Sequence, residues 1–251
     1  MTDLYVIGIG PGSRGGITID AAEAIKVSEC IVGYTTYINI VKDMFEESFF
    51  ADKEMIVTGM RGETERCRLA LEKAESGIVT CVVCSGDPTV YGMAGLIFEL
   101  AEAYKNVQVK VIPGVTAALS GSALSGAALG HDFSVISLSD LLTPWEKIEL
   151  RLEAAAKSDM CISLYNPASR KRADYLKKAC DILLRTLSED TVCAAAYNIG
   201  REGEGMKVMT LKELADYEAD MFTTVFIGNE STVEINGKMV TPRGYIEKYG
   251  K

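Results

Sequence analysis

The stretch from Ile78 to Gly95, I-V-T-C-V-V-C-S-G-D-P-T-V-Y-G-M-A-G, constrains this chain most. Ile78 to Cys84 is a continuous apolar run rich in β-branched residues, too short to span a membrane as a helix, so it reads as a strand buried on both faces of a parallel sheet. Ser85-Gly86-Asp87-Pro88 then stops it. In open α/β sheets ligands gather just beyond the carboxyl ends of the strands, where small residues let backbone groups approach them closely. The loop is thus a candidate binding surface, and equally an ordinary strand-to-helix turn.

The flanking sequence repeats the strand–helix alternation. Leu4 to Ile9 reads as a first strand, followed by Gly8-Ile9-Gly10-Pro11-Gly12 and a helix to Val27 capped by Thr18. These glycines do not make a dinucleotide fingerprint. The third arrives one position early, Pro11 occupies the turn, and the second strand, Cys30 to Val32, runs into Gly33-Tyr34 where an acidic residue would hold a ribose. A short helix near Ile38 to Phe45 and a strand at Met55 to Val57 come next. Glu63 to Ser76 is an amphipathic helix with Cys67, Ala70, Leu71 and Ala74 inward and Glu65, Arg66, Arg68, Glu72 and Lys73 outward. A helix from Met93 to Tyr104 and a strand from Gln108 to Ile112 complete a doubly wound parallel sheet.

Val115 to Ala128 consists almost entirely of Ala, Gly, Ser, Thr and Leu. Small side chains on a helix allow close approach to another layer, and the domain boundary is placed here, giving domains 1–114 and 115–251. Strands at Ser134–Ser137, Met160–Tyr165, Val192–Tyr197, Met206–Met209 and Thr223–Ile227 are expected beyond it, with helices over Trp145–Lys157, Ala173–Thr186 and Leu211–Tyr217. Asn236-Gly237 between Val233-Glu234-Ile235 and Lys238-Met239-Val240 is a two-residue hairpin signal, so the second sheet should be mixed.

With 251 residues, 48% of them apolar, the chain can bury a sizeable core. No apolar run approaches the roughly 20 residues of a membrane span. A net charge of −9 argues against nucleic acid or an anionic membrane as partner, and an anionic substrate needs a locally basic pocket. The start Met1-Thr2-Asp3-Leu4 lacks a basic leader, and the expected location is cytoplasmic. Seven cysteines, mostly inside apolar segments, fit reduced thiols. Cys81 and Cys84 lie three apart in one strand and point to opposite faces, so they cannot share a metal; no metal site is expected.

Pro11, Pro88, Pro113 and Pro167 each lie just past the end of an expected strand, beside Gly, Asp or Asn. The loops they shape could converge on a cleft with many backbone groups and few titratable ones, better suited to holding a cofactor than to multistep acid–base chemistry.

The Gly-x-Gly-Pro-Gly start, Ser85-Gly86-Asp87-Pro88 with Tyr91-Gly92-Met93-Ala94, Pro113-Gly114-Val115-Thr116-Ala117 and the strand Thr223 to Gly228 together resemble the tetrapyrrole methyltransferases, which use S-adenosylmethionine. The resemblance spans essentially the whole chain. Within that family, Gly130-His131-Asp132-Phe133, Ile136 to Trp145 and Leu164 to Arg172 are similar to the branch that methylates C17 of precorrin-3B in cobalamin synthesis. It implies a two-domain α/β tetrapyrrole methylase fold, a mostly parallel N-terminal sheet and a mixed C-terminal one. It also implies a homodimer, with the cofactor in the trough between the domains.

Carried over residue by residue, the resemblance gives cofactor contacts at Gly86, Asp87, Pro88, Thr116, Ala117, Tyr165, Ala194, Thr223 and Thr224. Pro11 would line the macrocycle side, and Tyr91 and Trp145 would stack on the ring or simply pack. The implied reaction methylates C17 and contracts the ring. Methyl transfer from an activated sulfonium to an electron-rich carbon needs alignment and exclusion of water. The substrate's carboxylates would meet Arg61, Arg66, Arg68, Arg170, Lys171, Arg172 or Arg201, with Arg170 and Lys171 favoured because they come just after a cleft loop. Ring contraction needs proton transfer, for which Lys171 is the candidate acid and His131 or Asp132 the acceptor; His131, the only histidine, is otherwise a capping or packed residue. Alternatives are methylation of another corrinoid carbon or of diphthine, a nicotinamide-dependent oxidoreductase, and a tetrapyrrole carrier without turnover.

Overall fold

The structure is a computed structural model, and it describes residues 1–169 and 172–250. The chain divides into two compact units, Met1–Thr116 and Ala117–Lys251. Among the described residues no helix is long and apolar enough to cross a membrane.

The first unit alternates strands and helices: β1 (Thr2–Gly8), α1 (Ile19–Val27), β2 (Cys30–Tyr34), α2 (Thr35–Met44), β3 (Glu54–Thr58), α3 (Glu63–Glu75), β4 (Thr80–Cys84), α4 (Ala94–Ala101) and β5 (Val107–Ile112). All pairings are parallel, in the order β3-β2-β4-β1-β5. The apolar run before Ser85 becomes β4, the central strand, buried at every residue. Its alternation sorts the helices: Val82 and Cys84 face a core shared with Leu71 of α3 and Ile97 of α4, whereas Cys81 and Val83 face one shared with Ile25 of α1 and Val41 of α2. Cys81 and Cys84 thus lie in different cores, and burial pushes both thiols up to about 12. Thr18 caps α1 as expected, its Oγ1 accepting the Ala21 N–H at 3.2 Å. One expectation for α3 fails, since Arg66 is buried with the apolar stripe instead of facing solvent.

The second unit contains α5 (Ala117–Ser125), β6 (Gly126–Ala127), β7 (Phe133–Ser137), α6 (Trp145–Lys157), β8 (Cys161–Tyr165), α7 (Tyr175–Leu183), β9 (Val192–Tyr197), β10 (Gly205–Thr210), α8 (Leu211–Ala215), β11 (Thr223–Ile227), β12 (Val233–Ile235), β13 (Lys238–Val240) and α9 (Tyr245–Tyr249). Its main sheet has the order β10-β9-β11-β8-β7 and is mixed: β7 and β8 run parallel, and β8, β11, β9 and β10 pair antiparallel. One face packs on α6, α7 and α8 through Ile148, Leu152, Leu183, Leu214, Leu164 and Val225. The other face, with Ala194, Ala196 and Phe226, lies under α5. The small residues of α5 are what let it settle there: a Cβ at Gly121 would stand 2.8 Å from the Phe226 ring.

Two details of the second unit differ from the sequence expectation. The small-residue helix stops at Ser125 because Gly126 turns left-handed (φ +131), and β6 leaves it. The Asn236-Gly237 hairpin forms, with φ of 51 and 72, but it joins β6 in a separate three-stranded sheet instead of the main one.

Candidate functional site

In the first unit the site candidate arises from how neighbouring strands β1 and β4 are continued. The chain leaves β1 for α1 on one face and leaves β4 for α4 on the other. The two departures open a crevice at the carboxyl ends of these strands, the switch point at which open α/β sheets bind ligands. Ile9-Gly10-Pro11 and Ser85-Gly86-Asp87-Pro88 meet there. Gly10 and Gly86 exchange backbone hydrogen bonds, Gly10 N–H to Gly86 O at 3.1 Å and Gly86 N–H to Gly10 O at 2.8 Å. Both are left-handed, with φ +69 and +65, which glycine adopts without steric cost.

The end of β5 closes on the same point. A Cβ on Gly8 would stand 2.6 Å from the Gly86 carbonyl oxygen, 2.7 Å from the Gly114 nitrogen and 2.8 Å from Cδ of Pro88. A Cβ on Gly114 would run into the Gly86 carbonyl and lie 2.6 Å from that of Gly8. Three strand ends therefore touch through bare backbone.

Asp87 braces them. Its Oδ1 accepts the Thr89 N–H at 2.8 Å as well as the Thr89 hydroxyl, and its Oδ2 accepts the Gly114 N–H at 3.0 Å. Burial opposes ionisation, but the bonds from the Thr89 hydroxyl and the Thr89, Gly114 and Val90 amides outweigh it and hold the carboxyl below the usual aspartate range. Pro11 is half-buried over Gly16, where a Cβ would lie 2.7 Å from the proline ring. Tyr91 is exposed on a left-handed backbone (φ 54) just before α4. Thr116 ends the unit.

In the second unit, Tyr165 stands at the carboxyl end of β8, and its hydroxyl accepts the Ala118 N–H at 2.6 Å, satisfying a donor in the first turn of α5, which Ala117 begins. The register, Val225 with Leu164 and Thr223 with Tyr197, brings Thr223 and Thr224 to this same end of the sheet. Both threonines are buried, and the Thr223 hydroxyl donates to Asp220 Oδ1 at 2.8 Å. The loops after β7 and β8 are fastened together here. Asn166 Nδ2 donates to Ser137 Oγ at 2.9 Å, and Arg172 donates from Nη1 to Ser139 Oγ at 2.6 Å and to Asp140 at 3.3 Å. The Tyr175 hydroxyl, at 2.7 Å, and the Arg172 charge hold the Asp140 carboxyl below its usual range.

Other expected site residues lie elsewhere. His131 and Asp132 precede β7, and the Asp132 carbonyl accepts the Cys161 N–H at the amino end of β8. Four residues of strand, roughly 13 Å, separate that end from Tyr165. They do not join the other loops of this unit, and the reason is direction: β7 and β8 are parallel, so a residue ahead of one strand cannot meet the loop beyond the other. His131 Nδ1 accepts the Asp132 N–H at 2.9 Å, a contact between adjacent residues, and the Asp132 carboxylate is 82% exposed. Ala194 has no exposed surface; β10 and β11 pair with it on both sides and its methyl lies in the core under α5. It forms part of the seat for that helix. Arg170 and Lys171 lie outside the described residues. Trp145 packs on Tyr175, ring centroids 4.7 Å apart.

Sequence reasoning missed Arg172, Asp140 and Tyr175 as a loop clamp, and it placed Arg66 on the wrong side of its helix. The serine- and aspartate-rich S-L-S-D string before Pro144 was the available signal for the clamp, since such residues hold loops by side-chain hydrogen bonds.

Known proteins resemble this chain over nearly its whole length. Residues 3–215 match the family described as Tetrapyrrole (Corrin/Porphyrin) Methylases. A protein of Salmonella typhimurium named probable cobalt-factor III C(17)-methyltransferase is 45% identical over 96% of this chain and 99% of its own length. Precorrin-3B C(17)-methyltransferase of a Sinorhizobium species is 38% identical over 96% of both chains. Some relatives are longer, and the match then covers about half of them, 53% in one from Archaeoglobus fulgidus. The crystal structure of the methyltransferase CobJ superposes with a TM-score of 0.88 at 32% identity, over 96% of this chain and 100% of that one. With a family match across most of its length and full-length relatives of this similarity, the chain belongs to the tetrapyrrole (corrin/porphyrin) methylases.

Proposed function

We propose that this protein is an S-adenosylmethionine-dependent methyltransferase that methylates C17 of precorrin-3B, or of its cobalt-bearing counterpart, and contracts the ring in cobalamin synthesis. The observation that carries the reading is the bare-backbone junction of Gly8, Gly86 and Gly114 at the β1/β4 switch point, in a chain whose full-length relatives are named for C17 methylation. A sulfonium donor supplies an already electrophilic methyl group, so the protein's task is to hold, aim and keep water out. The residues present fit that task. Gly86, Asp87 and Pro88 form a loop whose shape is fixed by Asp87 and by the close backbone packing of Gly8 and Gly114 against it, and Thr116 lies on the β5 loop. In the second unit, Ala117, Tyr165, Thr223 and Thr224 share one end of the sheet and are proposed as its contribution.

Pro11 and Tyr91, both on switch-point loops, are proposed to face the macrocycle. Lys171, as proton donor in ring contraction, and Arg170, as a carboxylate partner, are proposed on the family pattern. His131 and Asp132, at the far end of their sheet, are not part of the proposal. A homodimer is proposed on the same pattern; the exposed Val233 and Ile235 of β12 supply apolar surface for it, and sedimentation would measure it. All seven cysteines are buried and unpaired, which supports a reducing, cytoplasmic location.

The test is incubation with labelled S-adenosylmethionine and the trimethylated precursor, followed by mass analysis. A product with one added methyl and a contracted ring is expected. No added methyl would overturn the proposal, and a methylated but uncontracted ring would overturn its second half.

A further inference from the structure

Arg66 is 3% exposed, yet among the described residues no carboxylate pairs with it. Its Nε donates to Thr58 Oγ1 at 2.7 Å, its Nη2 to the Gly59 carbonyl at 3.0 Å and its Nη1 to Met93 Sδ at 3.2 Å, and the guanidinium carbon lies 5.9 Å from the centre of the Tyr34 ring. Every partner is neutral. Burying a cation is costly unless it is paired. Its place in the first turn of α3 adds to that cost, because the positive end of the helix dipole is there. The adjacent Glu63 and Glu65 are exposed, and Glu65 turns to Arg68 instead, at 3.8 Å.

The location of the uncompensated charge is informative. Tyr34 ends β2, Thr58 ends β3 and Met93 immediately precedes α4, so the guanidinium sits beneath loops at the carboxyl ends of parallel strands, the ligand end of this sheet. A charge in a low-dielectric setting is felt over a longer distance than one in water. The chain as a whole carries −9, so a substrate with many carboxylates requires a local positive region that the overall charge does not provide.

We infer that Arg66 is a buried positive pole that sets affinity for the acidic macrocycle from beneath the strand-end loops, its counter-charge being the substrate's carboxylates. This rests on the methyltransferase reading above and deepens it. Arg66 acts here as a specificity-determining residue through its field; it takes no part in moving the methyl group.

The test compares the wild type with Arg66→Lys and Arg66→Gln at low and high salt. It measures KM and kcat for the trimethylated precursor, calorimetric affinity for S-adenosylhomocysteine, and thermal stability. Arg66→Gln is expected to raise KM about tenfold, the scale of one partly screened charge interaction, with kcat nearly unchanged. It should also flatten the rise of KM with salt and leave S-adenosylhomocysteine affinity intact. Arg66→Lys, which keeps the charge but loses the fork, should restore KM and its salt dependence while melting as early as the glutamine variant. The inference is overturned if neither variant changes KM, or if both raise it alike while S-adenosylhomocysteine affinity falls in step, which is the signature of a strut. If the wild type methylates nothing, the proposed function fails separately. Affinity of the same three proteins for an octacarboxylate porphyrin, read by absorbance, then still decides whether the charge attracts acidic macrocycles.

Discussion

The two units finish their strands in opposite ways. In the first, Gly8, Gly86 and Gly114 bring three strand ends together through backbone alone, and one carboxylate, Asp87, locks the junction. In the second, the corresponding work falls to side chains: the Tyr165 hydroxyl at α5, Asn166 on Ser137, and Arg172 on Ser139 and Asp140. A parallel sheet with a switch point already directs N–H and C=O groups into a crevice, so it needs only the absence of side chains. A mixed sheet has no such convergence and must build its end from hydroxyls, amides and an ion pair. The difference predicts where substitutions are tolerated: the backbone junction has no slack, whereas a side-chain network can lose one member and keep its shape.

The largest expected effect is therefore Gly8→Ala. Its methyl group would overlap the Gly86 carbonyl and the Gly114 nitrogen, neither of which can rotate away. Destabilisation of about 3 kcal/mol and a loss of methyl transfer of about 100-fold should result, read by thermal unfolding and by the labelled-methyl assay. A variant as stable and active as the wild type would dissolve the contrast between the units.

Asp87→Ala comes next. It leaves the Gly114 and Thr89 amides without their acceptor and should cost about 2 kcal/mol, with weaker calorimetric binding of S-adenosylhomocysteine. The pH dependence has a definite sign. Because the folded-state pKa of Asp87 lies below its unfolded value, its contribution is complete above the unfolded value and is lost as pH falls through the folded one. The alanine variant should accordingly lose less stability than the wild type on acidification, and an equal loss would remove Asp87 as the brace.

Tyr165→Phe tests the side-chain end. One amide of α5 loses its partner, at a cost of about 1 kcal/mol, and turnover should fall only modestly because the neighbouring contacts persist. A collapse of activity as deep as that of Gly8→Ala would show the second unit to be just as unforgiving. The smallest effect on activity is expected from Thr210→Ala, which breaks the capping box of α8, Glu213 N–H to Thr210 Oγ1 at 3.2 Å and Thr210 N–H to Glu213 Oε2 at 2.8 Å. The melting temperature should drop by the equivalent of about 1 kcal/mol while methyl transfer at moderate temperature stays unchanged.

Much of the fold was legible because its signals are local. Thr18 as a cap, the inward stripe Cys67, Ala70, Leu71 and Ala74, and the Asn236-Gly237 turn each depend on neighbours within a few residues. The loops at the strand ends were legible as loops for the same reason, since glycine beside proline ends an apolar strand by local backbone preference. What was not legible required knowledge of direction or partners. Where His131 and Asp132 stand in the second sheet depends on strand direction, since only the parallel pairing of β7 and β8 puts them at the end opposite Tyr165. Arg66 was placed outward because helical periodicity sorts residues by hydrophobicity. Its burial depends on Thr58, Gly59 and Met93, which arrive from other parts of the chain.

On the proposed function, the donor rests on the glycine junction of the first unit. A crystal structure with S-adenosylhomocysteine tests it most directly. Density for the ligand is expected against the backbone of Gly86, Asp87 and Pro88; density elsewhere on the chain, with that loop bare, would rule this placement out.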